Sequence, residues 1–149
     1  MDNLRGLFQL LARNFGFLNE RCCESCCGQE LSLTQSHILY EIQRKHQPSM
    51  QDVSGALGID VTTFSRQIKT LVDKGLVKKT PHPDDNRINI LSLTLEGQQL
   101  ENQINGQVNA QLAGVMSQLT AFERETVIRS IELLNKAMQN SGSCCVPPK

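Results

Sequence analysis

The chain has 149 residues, of which 39% are hydrophobic and 20% are charged, a balance too apolar for a disordered chain and too evenly mixed for a membrane protein. No apolar run approaches the roughly 18 to 20 residues of a membrane helix, and the N-terminal segment lacks a signal-peptide core, so we expect a cytoplasmic protein with no membrane contact. Fifteen basic residues balance fifteen acidic ones, and this net charge of zero by itself argues against nucleic-acid binding, so the distribution of charge has to be considered.

The first predicted element is an amphipathic helix at the start of the chain. Its apolar residues recur at helical spacing, at Leu4, Leu7, Phe8, Leu11, Phe15 and Leu18. We expect the segment RCCESCCGQE, at 21–30, to end this helix. A stripe of this length needs a second surface to cover it.

Two further helices are predicted before the middle of the chain. We expect the first to begin near Thr34, as its N-cap, and to stop before Pro48, because the residue before a proline disfavours helix. The second opens at Ser49, a serine N-cap that is followed by an acid in the first turn, and it ends at Gly58.

The next helix, capped by Asp60, has a distinctive polar surface. We predict that its apolar residues face inward, at Val61, Phe64, Ile68, Leu71 and Val72. Hydrogen-bonding side chains are then left on the outer face, at Thr62, Thr63, Ser65, Arg66, Gln67 and Lys69. Gly75 is expected to end this helix.

A basic β-hairpin is predicted after that helix. Two strand-like runs, Leu76 to Thr80 and Arg87 to Leu93, are joined by the turn-rich segment PHPDDN. The stretch from Val61 to Ile90 holds six basic residues against three acidic ones, so this part of the chain is basic although the whole is neutral. A DNA-binding module between flanking helices would show this distribution.

The C-terminal part of the chain returns to helical spacing. A long helix is predicted from Thr94, with apolar residues from Leu100 to Leu119, and Thr120 begins a capping box for a last helix whose stripe ends at Met138. The long apolar stripes thus lie at both ends of the chain. They exceed what a domain of this size covers internally, which predicts a homodimer.

Three short motifs follow one another in this part of the chain: LVDKGLVK from Leu71, PDDNR from Pro83, and LSLTLEG from Leu91. Together they resemble, in register and without gaps, the signature of the MarR family of winged helix-turn-helix regulators. The resemblance implies a mainly α fold with a small β wing and a two-fold dimer built from the N- and C-terminal helices. It divides the chain into a dimerisation helix with a cysteine block at 1–33, a winged helix-turn-helix domain at 34–95, and C-terminal dimerisation helices with a cysteine tail at 96–149.

The resemblance further implies a transcriptional repressor, not an enzyme, that binds double-stranded operator DNA. Arg87 at the wing tip would enter the minor groove, where negative potential attracts a guanidinium, and Asp85 would brace the wing. The alternative is a surface arginine that simply pairs with Asp85. Lys78 and Lys79 would contact phosphates, although lysines on a strand edge also serve to block aggregation.

The outer face of the helix capped by Asp60 would be the recognition surface. Residue types suited to base edges are Thr62, Thr63, Arg66 and Gln67, and those suited to phosphates are Ser65 and Lys69. The alternative is an ordinary solvated helix face.

Two cysteine clusters lie outside the family pattern. Cys22, Cys23, Cys26 and Cys27 form a CCxxCC block, and Cys144 and Cys145 lie in a tail whose glycine and prolines preclude a regular helix. C-x-x-C spacing lets two thiolates reach one ion or form one disulfide. We therefore weigh a sensor for a thiophilic metal or arsenical, a thiol-oxidation switch, and functionally silent cysteines. His37 and His46 could add nitrogen ligands to such an ion, but we interpret both as helix-surface residues.

A function of another class would rest on the cysteines alone. A thiol oxidoreductase needs C-x-x-C beside a βαβ pattern, which the sequence lacks, and no P-loop, Ser-His-Asp frame or zinc-protease motif is present. A metal-buffering protein would explain the cysteines but not the Asp-x-Arg turn. The sequence predicts no cofactor other than a candidate thiolate-bound soft metal or metalloid.

Overall fold

The computed structural model describes the backbone of residues 4–25 and 31–141, and the surroundings of side chains for 4–16 and 31–141. Within these ranges the fold is mainly helical with one two-stranded sheet. The elements are α1 (Leu4–Ser25), α2 (Leu33–Arg44), α3 (Met50–Leu57), α4 (Val61–Asp73), β1 (Val77–Pro81), β2 (Asn89–Leu93), α5 (Leu95–Met116) and α6 (Ala121–Asn140).

Short polar side chains fix where four of the helices begin. Ser49, Asp60 and Thr120 accept a backbone N–H at the start of α3, α4 and α6, which confirms three predicted caps. The predicted cap of α2 at Thr34 is wrong. Ser32 caps this helix instead, because its hydroxyl accepts from the backbone of Gln35 while the Gln35 side chain accepts from the backbone of Ser32.

Helix α1 runs from Leu4 to Ser25, and this last residue lies inside the segment 21–30 that is predicted to end the helix. Cys22 and Cys23 therefore lie in its last turns. Neither of these cysteines nor Glu20 and Arg21 before them is a helix breaker such as glycine or proline, so the helix has no local reason to stop there.

The core is a closed cluster of apolar side chains within residues 31–104. Its fully covered members include Ile38, Leu39, Val53, Phe64, Ile68, Leu71, Leu76 and Leu91. The α4 contribution is narrower than predicted, because Val61 is 65% exposed and Val72 is 39% exposed. Phe64, Ile68 and Leu71 alone form the buried stripe of α4, as expected for a short helix that packs along one face.

The hairpin is antiparallel, with Val77 opposite Leu93 and Pro81 opposite Asn89. Strand β1 begins at Val77 and ends at Pro81, one residue later at each end than the sequence predicts. Strand β2 begins at Asn89, two residues later than predicted, and ends at Leu93 as predicted. The segment that leads into α3 also pairs with β2, because the Leu91 N–H donates to the Pro48 carbonyl at 2.9 Å and Ser49 forms a bridge with Ile90. The wing is therefore tied directly to the start of the helix-turn-helix.

The LSLTLEG motif forms a tight junction between β2 and α5. Thr94 donates from its backbone N–H to the Leu76 carbonyl at 3.0 Å, and its hydroxyl accepts from the Gly97 N–H at 3.0 Å. A Cβ at Gly97 would overlap the Leu76 carbonyl oxygen. Only glycine fits this position, since the obstructing atom belongs to the backbone.

The chain divides into two compact units, residues 1–108 and 109–149. The first holds the closed core, and α6 in the second has no buried residue. The three-part division at 1–33, 34–95 and 96–149 stays a prediction. Among the described residues, no helix has the length and apolar character needed to cross a membrane.

Candidate nucleic-acid interface

Helix α4 presents a continuous polar surface away from the core. We call Thr62, Thr63, Ser65, Arg66 and Lys69 the reading face, and all five are exposed. Within the described chain, no ion pair engages Arg66 or Lys69. Arg66 and Lys69 therefore offer donors to a partner without first breaking an ion pair inside the described chain.

The carboxylate of Asp60 stands at the start of this face. The Thr63 hydroxyl and backbone N–H hydrogen-bond to it and hold its pKa below the usual value, so it is charged at neutral pH. A carboxylate repels phosphate, and it thereby disfavours a phosphate at this end of α4. The hydroxyl of Thr63 is shared with Asp60, which makes Thr62 the less constrained of the two threonines.

Gln67 departs from the role that its sequence position suggests. It is half-buried, and its Oε1 accepts from Gln35 Nε2 on α2 at 3.1 Å. Its carbonyl is therefore engaged inside the protein, unlike the side chains of the reading face. The predicted base contact of Gln67 stays a prediction, and we leave this residue out of the reading face.

The wing tip holds Arg87 in a defined orientation. The carboxylate of Asp85 accepts from the Arg87 backbone N–H at 3.0 Å and from its Nε at 3.2 Å, and the Asp85 carbonyl accepts from the Ile88 N–H at 3.0 Å. The Arg87 side chain remains 91% exposed. The pairing with Asp85 therefore coexists with a largely exposed side chain, since the hydrogen bond to Asp85 uses Nε and the guanidinium has four further N–H donors.

Lys78 and Lys79 lie on opposite faces of β1, because successive strand residues alternate. Lys79 is directly opposite Leu91, which packs into the core with the helices, and Lys78 is opposite Ser92. Both lysines are exposed. Lys79 thus shares the face of the hairpin that meets the helices, and Lys78 does not.

Val61 is a surface residue that reasoning from periodicity missed. It is the first residue of α4 and is 65% exposed, directly beside Thr62. The sequence does contain a signal for this exposure, since Val61 follows the Asp60 cap directly and first-turn residues of a helix often lie outside the buried stripe. An exposed apolar side chain at the tip of a reading face suits the methyl group of thymine.

The cysteine clusters fall mostly beyond what the structure describes. Cys22 and Cys23 lie in α1, whereas Cys26, Cys27, Cys144 and Cys145 lie outside the described residues. Among the residues that the structure describes, no group of three or more histidine, cysteine or acidic side chains is placed to hold a metal ion. The sensor assignment of the six cysteines stays a prediction.

Residues 31–88 match the model of the MarR family. The uncharacterized HTH-type transcriptional regulator YdgJ of Bacillus subtilis (strain 168) is 24% identical over 117 residues, which cover 78% of this chain and 70% of that protein. The crystal structure of Streptococcus pneumoniae FabT in complex with DNA is similar with a TM-score of 0.85 at 15% identity, covering 93% of this chain and 97% of that one. Wild-type MarR from E. coli, in its apo form, gives a TM-score of 0.73 at 22% identity, covering 88% and 96%.

The structural likenesses confirm the predicted winged-helix fold, with a two-stranded wing beside α4. The family match spans α2, α3, α4, β1 and the wing tip, which are the elements that carry the reading face and Arg87. Residues 31–88 of this chain are therefore similar to the MarR family, and the similarity covers the segment that carries the reading face and Arg87.

Proposed function

We propose that this protein is a cytoplasmic repressor that binds double-stranded operator DNA as a homodimer, with the reading face of α4 in the major groove and Arg87 in the minor groove. The observation that carries the proposal is the pairing of an exposed polar helix face with a braced arginine at the tip of the adjacent hairpin. FabT, whose solved structure contains DNA, has the same fold.

Each part of the surface has a chemical task. Arg66 presents a fork of donors that suits guanine or a phosphate, and Thr62 presents a hydroxyl that suits a base edge. Arg87 carries its positive charge into the region of strongest negative potential if the minor groove is narrow. Asp85 favours one rotamer of that side chain, so less freedom is lost when DNA binds.

A binding experiment with arginine variants tests the proposal. The protein is first used to select duplexes from a random-sequence pool, and affinity for the selected duplex is then measured for Arg66→Ala and Arg87→Ala. Each lost base contact should weaken binding by about 1 to 3 kcal/mol, and each lost phosphate contact should reduce the salt slope by about one. Arg129→Ala is the matched control, because Arg129 lies on α6 and pairs with Glu125 at 3.0 Å.

The contradicting results are specific. Failure of the parent protein to enrich any duplex would reject DNA binding. Enrichment followed by equal affinity and equal salt dependence for the parent and both arginine variants would reject this surface while leaving DNA binding itself intact.

The homodimer part of the proposal is supported by apolar side chains that the described chain leaves open. On α1, Leu7 and Leu11 are 62% and 58% exposed. On α6, Ile131 and Met138 are 47% and 52% exposed. Stripes of this kind are rare on monomers and normally mark an interface. A second copy supplies a matching stripe by symmetry.

For the signal, we infer a thiol-based sensor that responds to a thiophilic metal or an arsenical, with thiol oxidation as the alternative. The support is the clustering of all six cysteines into CCxxCC and CC, because thiolates are the preferred ligands of soft ions. Cys22 and Cys23 lie near the C-terminal end of α1, so a ligand bound there would act on a helix whose exposed stripe we assign to the dimer.

Serine replacement of Cys144 and Cys145 tests this sensor. DNA release by arsenite, cadmium and peroxide is compared between the double variant and the parent, with free-thiol counting after each treatment. Loss of the response to arsenite and cadmium alone supports the metal sensor, and loss of the response to peroxide alone supports oxidation. An unchanged response to all three would exclude the tail from the sensor.

A further inference from the structure

The first turn of α2 is joined to α4 through two glutamine side chains. Gln35 is only 8% exposed, and its Nε2 donates to Gln67 Oε1 at 3.1 Å. The same Gln35 side chain accepts from the backbone N–H of Ser32 at 3.2 Å. One buried amide therefore uses its carbonyl at the helix cap and its NH2 group at α4.

The orientation of both amides follows from this chain of hydrogen bonds. The Ser32 backbone N–H can only donate, so Gln35 has to present its oxygen there. The Gln35 NH2 group then faces Gln67, and Gln67 has to present its oxygen in turn. Neither amide can be rotated by 180° without placing two donors or two acceptors together.

The contact falls beside the reading face of α4. Gln67 lies between Arg66 of the reading face and Ile68, which is fully covered in the core. The packed side chain of Ile68 holds the inward face of α4 against the core. A hydrogen bond to Gln67 is directional, and it loses strength as soon as α4 turns about its axis.

We propose that Gln35 and Gln67 form a positioning pair that fixes the rotation of α4 and thereby the direction of Arg66. The pair acts through Arg66, and a loss of affinity in Gln67→Met that Gln35→Met does not share would instead assign Gln67 to a direct base contact. This inference rests on the proposed function, since it concerns the same reading face.

A double-mutant cycle tests the pair. Affinity for the selected duplex is measured for Gln35→Met, Gln67→Met and the double variant, at a temperature where circular dichroism shows all of them folded. Each single variant should bind about five- to tenfold more weakly, in line with the loss of one buried hydrogen bond. The double variant should bind the duplex with about the affinity of whichever single variant binds less tightly, because each single substitution already removes the same contact.

Ser32→Ala is the control for the helix cap. It removes the hydroxyl that accepts from the Gln35 backbone N–H, yet it keeps both amides. We expect this variant to unfold at a lower temperature than the parent and to bind the duplex with unchanged affinity. Side-chain amide signals in NMR give a second readout, because the Gln35 NH2 protons should exchange slowly in the parent and in Ser32→Ala, and rapidly in Gln67→Met.

Two results would overturn the positioning pair. One is parent-like affinity in both single variants, and the other is a double variant whose loss is the product of the single losses. Should Gln35→Met fail to fold, Gln35→Ala takes its place in the cycle, because Gln67→Met alone does not separate a lost positioning contact from a lost base contact. Failure of the parent to enrich any duplex is a distinct outcome. It rejects the proposed function, and the direction of Arg66 then has no role in DNA binding for the pair to control.

Discussion

The winged-helix segment and helix α6 contain similar kinds of apolar residue and use them in opposite ways. In the segment, Ile38, Leu39 and Leu71 have no exposed surface, and the core closes on itself. In α6 no residue is buried, and Phe122 and Leu133 are 79% and 69% exposed. Apolar periodicity therefore predicts a covered face in both regions, but it does not say whether this chain or a second copy provides the cover.

The largest expected effect breaks the closed region. Gly97→Ala places a methyl group on the Leu76 carbonyl oxygen, which already accepts from Thr94, so the junction between β2 and α5 has to open. We expect a loss of about 3 kcal/mol or more in the free energy of unfolding, measured by urea denaturation. Gly106→Ala on the same helix is the control, because no atom lies within 4 Å of a Cβ there, and it should be neutral or stabilising by up to about 1 kcal/mol.

The second effect concerns the open region. Ile131→Glu places a charge in the exposed stripe of α6, where a partner copy would have to bury it. We expect dissociation into monomers in sedimentation experiments and a loss of duplex affinity of at least about tenfold, since two linked half-sites bind far more tightly than one. Lys136→Glu is the control, because it places the same carboxylate on the other side of α6, given about 100° per residue. The Lys136→Glu variant should remain dimeric. A dimeric Ile131→Glu variant would assign this stripe to something other than the dimer.

The third effect distinguishes the two faces of the hairpin. Lys79→Gln should reduce the slope of log affinity against log salt by about 0.9, as one phosphate contact is lost. Lys78→Gln, one residue away on the opposite face, should leave the slope nearly unchanged. The reverse result would place the phosphate backbone on the other side of the wing from the helices.

The smallest effect sharpens the role of Val61. Replacing one thymine of the selected duplex by deoxyuridine removes a single methyl group, and burial of such a group contributes about 0.8 kcal/mol, or roughly fourfold in affinity. One such position should lose its effect in Val61→Ala, since the partner of the methyl is gone. Thymines whose replacement weakens the parent and the variant equally would show that Val61 does not read this group.

Local chemistry explains which features of the fold were predictable. The caps at Ser49, Asp60 and Thr120 depend on neighbouring residues only, and they were predicted correctly. The cap of α2 was misplaced at Thr34 because two candidate residues stand close together. The reciprocal hydrogen bonds of Ser32 with Gln35 decide between them. Their S-x-x-Q spacing is a capping-box signature as local as the one at Thr120, so this signal is present in the sequence.

The candidate site was predictable in composition and less so in arrangement. Arg66 and Lys69 are exposed as expected, but Gln67 is engaged by a residue 32 positions earlier in the chain. Such a contact depends on how α2 and α4 pack, and no local pattern reports it. Val61 was assigned to the wrong side for a related reason, because the width of the buried stripe depends on the neighbouring elements and not on α4 alone.

The pairing of β2 with Pro48 and Ser49 has a consequence for the thermodynamics of recognition. An isolated two-stranded ribbon is marginally stable in water and would have to be ordered when it meets a ligand. Here the ribbon is extended by a short third segment that belongs to the start of α3. The conformational entropy of the wing is therefore lost during folding, so association has less disorder left to remove, and slow dissociation can be reached with few direct contacts.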